Sequence, residues 1–162
     1  MKKVIIMFFL MLFSSNIFSQ MSIPKAQSLF LVNFIRLIEW NDNIDKYNIY
    51  IYGNSDVYDE LVKIISHKKD INVININELN EIKDMNSVHI LFISYTKRNI
   101  SDDIFNNKNT LFISENRSLS NKVGICFYID DNKLVYELNQ NNINKNNIKI
   151  SSQVINLANK VK

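Results

Sequence analysis

Val88-His89-Ile90-Leu91-Phe92-Ile93-Ser94 carries no charge at neutral pH and is apolar without a break from Ile90 to Ile93. A strand with one wet face alternates apolar and polar residues, whereas one covered on both faces has no reason to. Continuous runs of this kind belong to mainly parallel sheets packed on both sides. The neighbouring segments fit that frame. Upstream, Tyr47–Tyr52 (YNIYIY) and Ile71–Ile76 (INVINI) read as strands. Between them Gly53 ends the first, and Asn54-Ser55-Asp56 caps a helix running to about Ser66, with Val57, Leu61, Ile64 and Ile65 inward. Asn77 to Lys83 reads as a short helix and Lys97 to Asn106 as a weak one. Thr110–Ser114 is the next strand.

Further out the pattern changes. Val123–Ile129 and Lys133–Leu138 are joined by Asp130-Asp131-Asn132, a turn too short for anything but an antiparallel hairpin. Asn139–Asn147 is polar, a loop or a poor helix. Ile150–Val161 reads as a closing helix capped by Ser151 or Ser152, with Val154, Ile155, Leu157, Ala158 and Val161 inward. At the other end, Pro24–Trp40 reads as an amphipathic helix with Ser22 as its cap, stopped by Asn41-Asp42-Asn43. The predicted class is α/β: a three-layer sandwich, with a mainly parallel sheet, an antiparallel C-terminal hairpin and helices on both faces.

Residues 1–19 have the layout of a secretory leader. Lys2 and Lys3 precede the apolar run Val4–Phe13, and small or polar residues follow up to an expected cleavage after Ser19. The run is too short for a bilayer span, which needs roughly 20 apolar residues. The expected product is a single domain, residues 20–162, located in the periplasm and not membrane-spanning after processing. Export argues against chemistry driven by ATP or NAD. Without the two leader lysines, the formal charge of +3 falls to +1, which argues against nucleic acid as a partner. Cys126 is the single cysteine, so no internal disulfide and no lipid-anchoring cysteine are expected.

Motifs for catalysis are missing. Gly53-Asn54-Ser55 lacks the rest of any phosphate-binding fingerprint. His67 and His89 have no metal-ligand spacing, and no G-x-S-x-G elbow marks a nucleophile. The expectation is a protein that is not an enzyme and takes no cofactor and no metal. Two surfaces remain as candidates. Open sheets bind ligands beyond their strand carboxyl ends, where Asn54, Ser55, Ser94, Ser114 and Asn116 could form a small-ligand pocket. Trp40, with Asn33, Arg36 and Glu39 on the first helix, could contact a partner protein.

Several segments, taken in order, resemble the YfiR family of small periplasmic proteins. They are Asn33-Phe34-Ile35-Arg36-Leu37-Ile38-Glu39-Trp40, Val88–Ile93, Leu111–Ser114, Gly124-Ile125-Cys126-Phe127 and Ile150-Ser151-Ser152-Gln153-Val154. The resemblance implies a sheet flanked by helices and a non-catalytic regulator. Such a regulator binds the periplasmic domain of an inner-membrane diguanylate cyclase and restrains it, so that release raises cyclic di-GMP and favours biofilm formation. The same domain type is joined to membrane histidine kinases as a sensing module. The expected partner is therefore an inner-membrane sensor protein, diguanylate cyclase or histidine kinase, with a homodimer left open. The alternative is a periplasmic small-molecule-binding module. The redox-linked disulfides of the well-known member do not carry over to a chain with Cys126 alone.

Overall fold

All four side chains of β4 (Ile90–Ile93) are buried, and they divide between two cores. Ile90 and Phe92 point to one face of the sheet, Leu91 and Ile93 to the other. This is the period-2 alternation of a strand with no wet side, seen in a computed structural model that describes residues 21–40, 44–53 and 55–162. The expected leader, the Asn41-Asp42-Asn43 turn and Asn54 lie outside the described residues.

In chain order the elements are α1 (Ile23–Leu37), β1 (Ile38–Glu39), β2 (Tyr47–Tyr52), α2 (Asp56–Ile65), β3 (Ile71–Ile76), then β4. They continue with β5 (Leu111–Ser114), β6 (Ile125–Asp130), β7 (Lys133–Leu138), α3 (Gln140–Lys145), β8 (Lys149–Ile150), α4 (Ser152–Asn156) and β9 (Lys160–Val161). The main sheet has seven strands in the order β3-β2-β4-β5-β6-β7-β9. Its strands are parallel from β3 to β6, β7 returns antiparallel as the second arm of the hairpin, and β9 lies parallel to β7. The α/β sandwich with a mostly parallel sheet and an antiparallel hairpin near its end is thus the observed fold.

One face is covered by α-helices. Leu31, Val32, Phe34 and Ile35 of α1, Val57 and Leu61 of α2 and Val154 of α4 pack on Ile49, Ile51, Phe92, Ile113 and Phe127. Ser28, fully buried, bridges the Pro24 carbonyl of its own helix and the Val57 carbonyl of α2, at 2.8 and 3.1 Å. Truncating a filled position such as Phe92 to alanine costs about 3–5 kcal/mol.

The other face is covered by short 3-10 turns at Leu79–Glu81, Met85–Ser87, Asp102–Asn106 and Arg117–Leu119. Ile82, Val88, Phe105 and Leu119 seal it. The helices expected over 77–83 and 97–106 shrink to these turns. Asn, Ser and Asp crowd those connections, and their side chains compete for backbone groups: Asp84 and Asn116 each cap a turn with a side-chain oxygen.

Two further expectations are corrected. The first helix ends at Leu37, not Trp40, because Ile38 and Glu39 pair antiparallel with Ile150 and Lys149. The closing helix over 150–161 breaks into β8, the five-residue α4 and β9. The edge of β7 draws the chain back: Asn159 N–H donates to Tyr136 O at 2.9 Å and Lys162 N–H to Leu138 O at 2.8 Å. Leu157, expected inside, is 66% exposed.

Candidate functional site

The order β3-β2-β4-β5-β6 places the topological switch between β2 and β4, where ligands enter sheets of this order. Here the crevice is filled from within. Gly53 has φ +98, and a Cβ on it would stand 2.9 Å from Ser94 Oγ and 3.0 Å from Lys97 Cγ. The Lys97 stem lies in the space that the missing side chain leaves. Its ammonium sits 4.6 Å from the Tyr52 ring centre and donates to the Asn77 carbonyl at 2.5 Å, with Glu78 at 3.8 Å.

The strand-end hydroxyls are turned into the fold. Ser94, fully buried, bonds Thr96 Oγ1 at 2.6 Å. Ser114, also fully buried, donates to Ile93 O and accepts from Asn116 N–H, both at 3.0 Å. Asn116 donates to the Lys97 and Tyr95 carbonyls at 3.1 and 3.4 Å. Ser55 caps α2 through Val57 N–H at 3.3 Å and lines an open cleft. Asn54 lies outside the described residues.

The open space lies one step along the sheet, where α1 begins. Gln27 is 2% exposed on the inward face of α1, and its Nε2 donates to Glu115 Oε2 at 2.9 Å. The other oxygen of Glu115 accepts from Tyr95 N–H at 3.2 Å. Above this pair opens a cleft of about 330 Å³, walled by Ile23, Pro24 and Tyr95, with Ser55 and Asp56 at its rim. It runs on into a cleft of about 600 Å³ that reaches Arg117, Tyr128 and Asp130 on the hairpin side. Met21, Ile23, Tyr95 and Ile129, each an exposed large apolar side chain, line this region or its continuation toward Leu134. Gln27 and Glu115 were not singled out from sequence. The available signal was a carboxamide, next to Ser28, at an inward position of a mostly apolar helix face.

A charged cluster closes the hairpin end. The Arg117 guanidinium lies 4.2 Å from the Tyr128 ring centre and 3.8 Å from Glu137. Glu137 is 4% exposed and accepts from Lys162 Nζ at 2.8 Å. Burial alone would raise its pKa, but the Lys162 hydrogen bond and charge, Arg117 and Ser120 together hold it below the ordinary 4.5. Cys126 pairs with Glu137 across the hairpin. Burial first, then the Glu137 charge, push its thiol up to about 11.

The expected contact residues sit elsewhere. Asn33 and Arg36 are exposed on the outer stripe of α1, and Glu39 is exposed on β1. Trp40 is half-buried at the amino ends of the strands. Its indole N–H donates to Ile35 O at 3.0 Å, and its ring meets His89 edge-on at 5.4 Å and Tyr47 at 6.1 Å. His89 Nδ1 accepts from Asn48 N–H at 3.0 Å. Among the described residues, no group of three or more His, Cys, Asp or Glu side chains is arranged to hold a metal, and no helix is long and apolar enough to cross a membrane.

No curated protein matches the chain. The family model described as YfiR/HmsC-like matches residues 24–159, from the start of α1 to the approach to β9, and the chain belongs to the YfiR/HmsC-like family.

Proposed function

We propose that this protein docks on the periplasmic domain of an inner-membrane sensor, a diguanylate cyclase or a histidine kinase, and shifts it between two states. Family membership implies a periplasmic, non-catalytic regulator of diguanylate cyclase signalling, and the match over residues 24–159 is the observation that carries the reading. A regulator of this kind acts only if it binds one receptor state more tightly than the other. The contact proposed here runs along α1. Asn33 and Arg36 offer its outer stripe, and Glu39 and Trp40 follow at its end. The test is capture of detergent-solubilised membrane proteins on the tagged protein, followed by mass spectrometry. The expected result is enrichment of a membrane protein bearing a cyclase or kinase domain, reduced by Arg36→Glu. Recovery of no such protein overturns the reading.

A second reading is favoured by the cleft over Gln27 and Glu115. Ser94, Ser114 and Asn116 brace the loops that present Tyr95 and Glu115, and Ser55, next to Asn54, lines the rim. With Asp56 and Glu115 as its charged groups and Ile23, Pro24 and Tyr95 as its walls, the inner cleft suits a small apolar molecule bearing an amine. A ligand bound only by the folded state raises the melting temperature with its concentration. Thermal melts with a panel of small amines are the check, and a flat response throughout removes this reading.

A further inference from the structure

The outermost strand on one side of the sheet, β3, reads Ile-Asn-Val-Ile-Asn-Ile. Folded proteins ordinarily guard such an edge with a charge, a proline, a bulge or a very short strand. The opposite edge follows that rule, since β9 is two residues long and begins with Lys160. β3 does not. It holds six residues with no charge, proline or glycine, paired with β2 in unbroken register.

The backbone accounting shows what the edge offers. Tyr47 N–H takes the Asp70 carbonyl, and Gly53 N–H takes that of Ile76. In a parallel ladder alternate residues face the neighbour, so Asn72 and Ile74 are also spent on β2. The N–H and C=O groups of Ile71, Val73 and Asn75 point away from the sheet.

We propose that this edge pairs with the same edge of a second copy, antiparallel, about a two-fold axis at Val73. In that register Val73 meets Val73, and Ile71 meets Asn75 in both directions. Every outward residue then falls at a hydrogen-bonded position, where partners exchange both main-chain bonds. The axis stands normal to the sheet and keeps each face in line. Ile71, Val73 and Asn75 share one face by alternation, so the pairing places like faces together, whereas a one-residue slip would not. No like charges are opposed within the strand. At its ends the charges complement one another: Lys68, Lys69 and Asp70 precede β3 and leave that end net basic, Glu78 follows it, and the antiparallel register sets Lys68 of each copy opposite Glu78 of the other. α2 packs against both α1 and β3, and its Val62 is 43% exposed. The product is one continuous sheet through two protomers, an isologous contact of the commonest kind.

Sedimentation of the purified protein over a range of concentrations tests this. A dimer is expected. Val73→Pro removes an outward N–H that β2 does not use, so the fold tolerates it, and the dimer dissociation constant rises about tenfold or more. Asn75→Lys acts in the same direction by charge repulsion. Hydrogen exchange reads the same contact independently, with the Val73 and Asn75 amides gaining protection as concentration rises. Lys68→Glu with Lys69→Glu weakens the dimer, and adding Glu78→Lys restores it. Three outcomes overturn the proposal: a monomer at every concentration, a dimer that both strand variants leave unchanged while circular dichroism shows them folded, or amides protected only when a receptor domain is added.

Discussion

Lys162 Nζ lies 2.8 Å from Glu137 Oε1, so a residue just past β9 is tied to a carboxylate that is 4% exposed on β7. The main chain repeats the tie at the next residue of β7, where Lys162 N–H donates to Leu138 O. A buried carboxylate that loses its partner is costly, and Arg117 at 3.8 Å replaces little of a direct hydrogen bond. Lys162→Met should therefore destabilise the fold by about 1–2 kcal/mol at pH 7, read by urea unfolding.

The same pair sets a pH dependence. Because the folded-state pKa of Glu137 is below its ordinary 4.5, the unfolded chain binds the proton more readily. The stabilisation is fully present above pH 4.5 and is lost as pH falls through the lowered folded value. The gap in stability between the parent and Lys162→Met should be full at pH 7 and close as the pH falls through the range in which Glu137 takes up its proton. A gap that persists unchanged at the acid end would show that Lys162 acts by packing alone.

Cys126 gives the opposite sign. Its thiol is raised from 9.0 to about 11, so the stability linked to it is present below pH 9 and is lost between 9 and 11, where only the unfolded chain ionises. At pH 8 the residue is 1% exposed and protonated, which removes the thiolate that reagents attack. Ellman titration should find almost no reaction in the native protein and complete reaction in guanidinium. Fast native labelling would place the thiol in a different environment.

The strands β2, β3 and β7 end where their residue patterns say, at Tyr47–Tyr52, Ile71–Ile76 and Lys133–Leu138. Their signals are local: an apolar run or an alternation bounded by turn residues. What escapes a local reading depends on distant partners. Val154 to Val161 repeats at helical spacing, yet Lys160 and Val161 extend because β7 has an open edge. The site shows the same division. Ser94 and Ser114 stand at the carboxyl ends of their strands, but their hydroxyls turn inward to neighbours on adjacent strands and loops. Gln27 and Glu115 meet across 88 residues, and no window of sequence holds both.

The closed switch-point crevice depends on Gly53. Gly53→Ala combines a positive φ that L-residues avoid with contacts of 2.9 Å to Ser94 Oγ and 3.0 Å to Lys97 Cγ. The expected loss is about 1–3 kcal/mol. Only one of the obstructing groups is flexible. Adding Lys97→Ala should relieve the clash with its stem but not the φ strain or the Ser94 contact, so the double variant recovers part of the loss. Denaturation midpoints of the two variants against the parent decide it, and full recovery would assign the whole cost to Lys97.

Trp40 and Arg36 separate a packing role from a contact role at the end of α1. The Trp40 indole is bound to Ile35 O and set against His89 and Tyr47, so Trp40→Phe should cost about 1 kcal/mol through the lost hydrogen bond and poorer packing. Arg36 is exposed and lies on the outer stripe, so Arg36→Glu should leave stability within about 0.5 kcal/mol. If this helix touches the receptor, Arg36→Glu weakens capture of the membrane protein while its melting temperature stays at the parent value. If Trp40 serves only as a lid, Trp40→Phe lowers the melting temperature and leaves capture intact at temperatures where the variant is folded. Loss of capture in Trp40→Phe but not in Arg36→Glu would move the contact from the outer stripe to the amino ends of the strands.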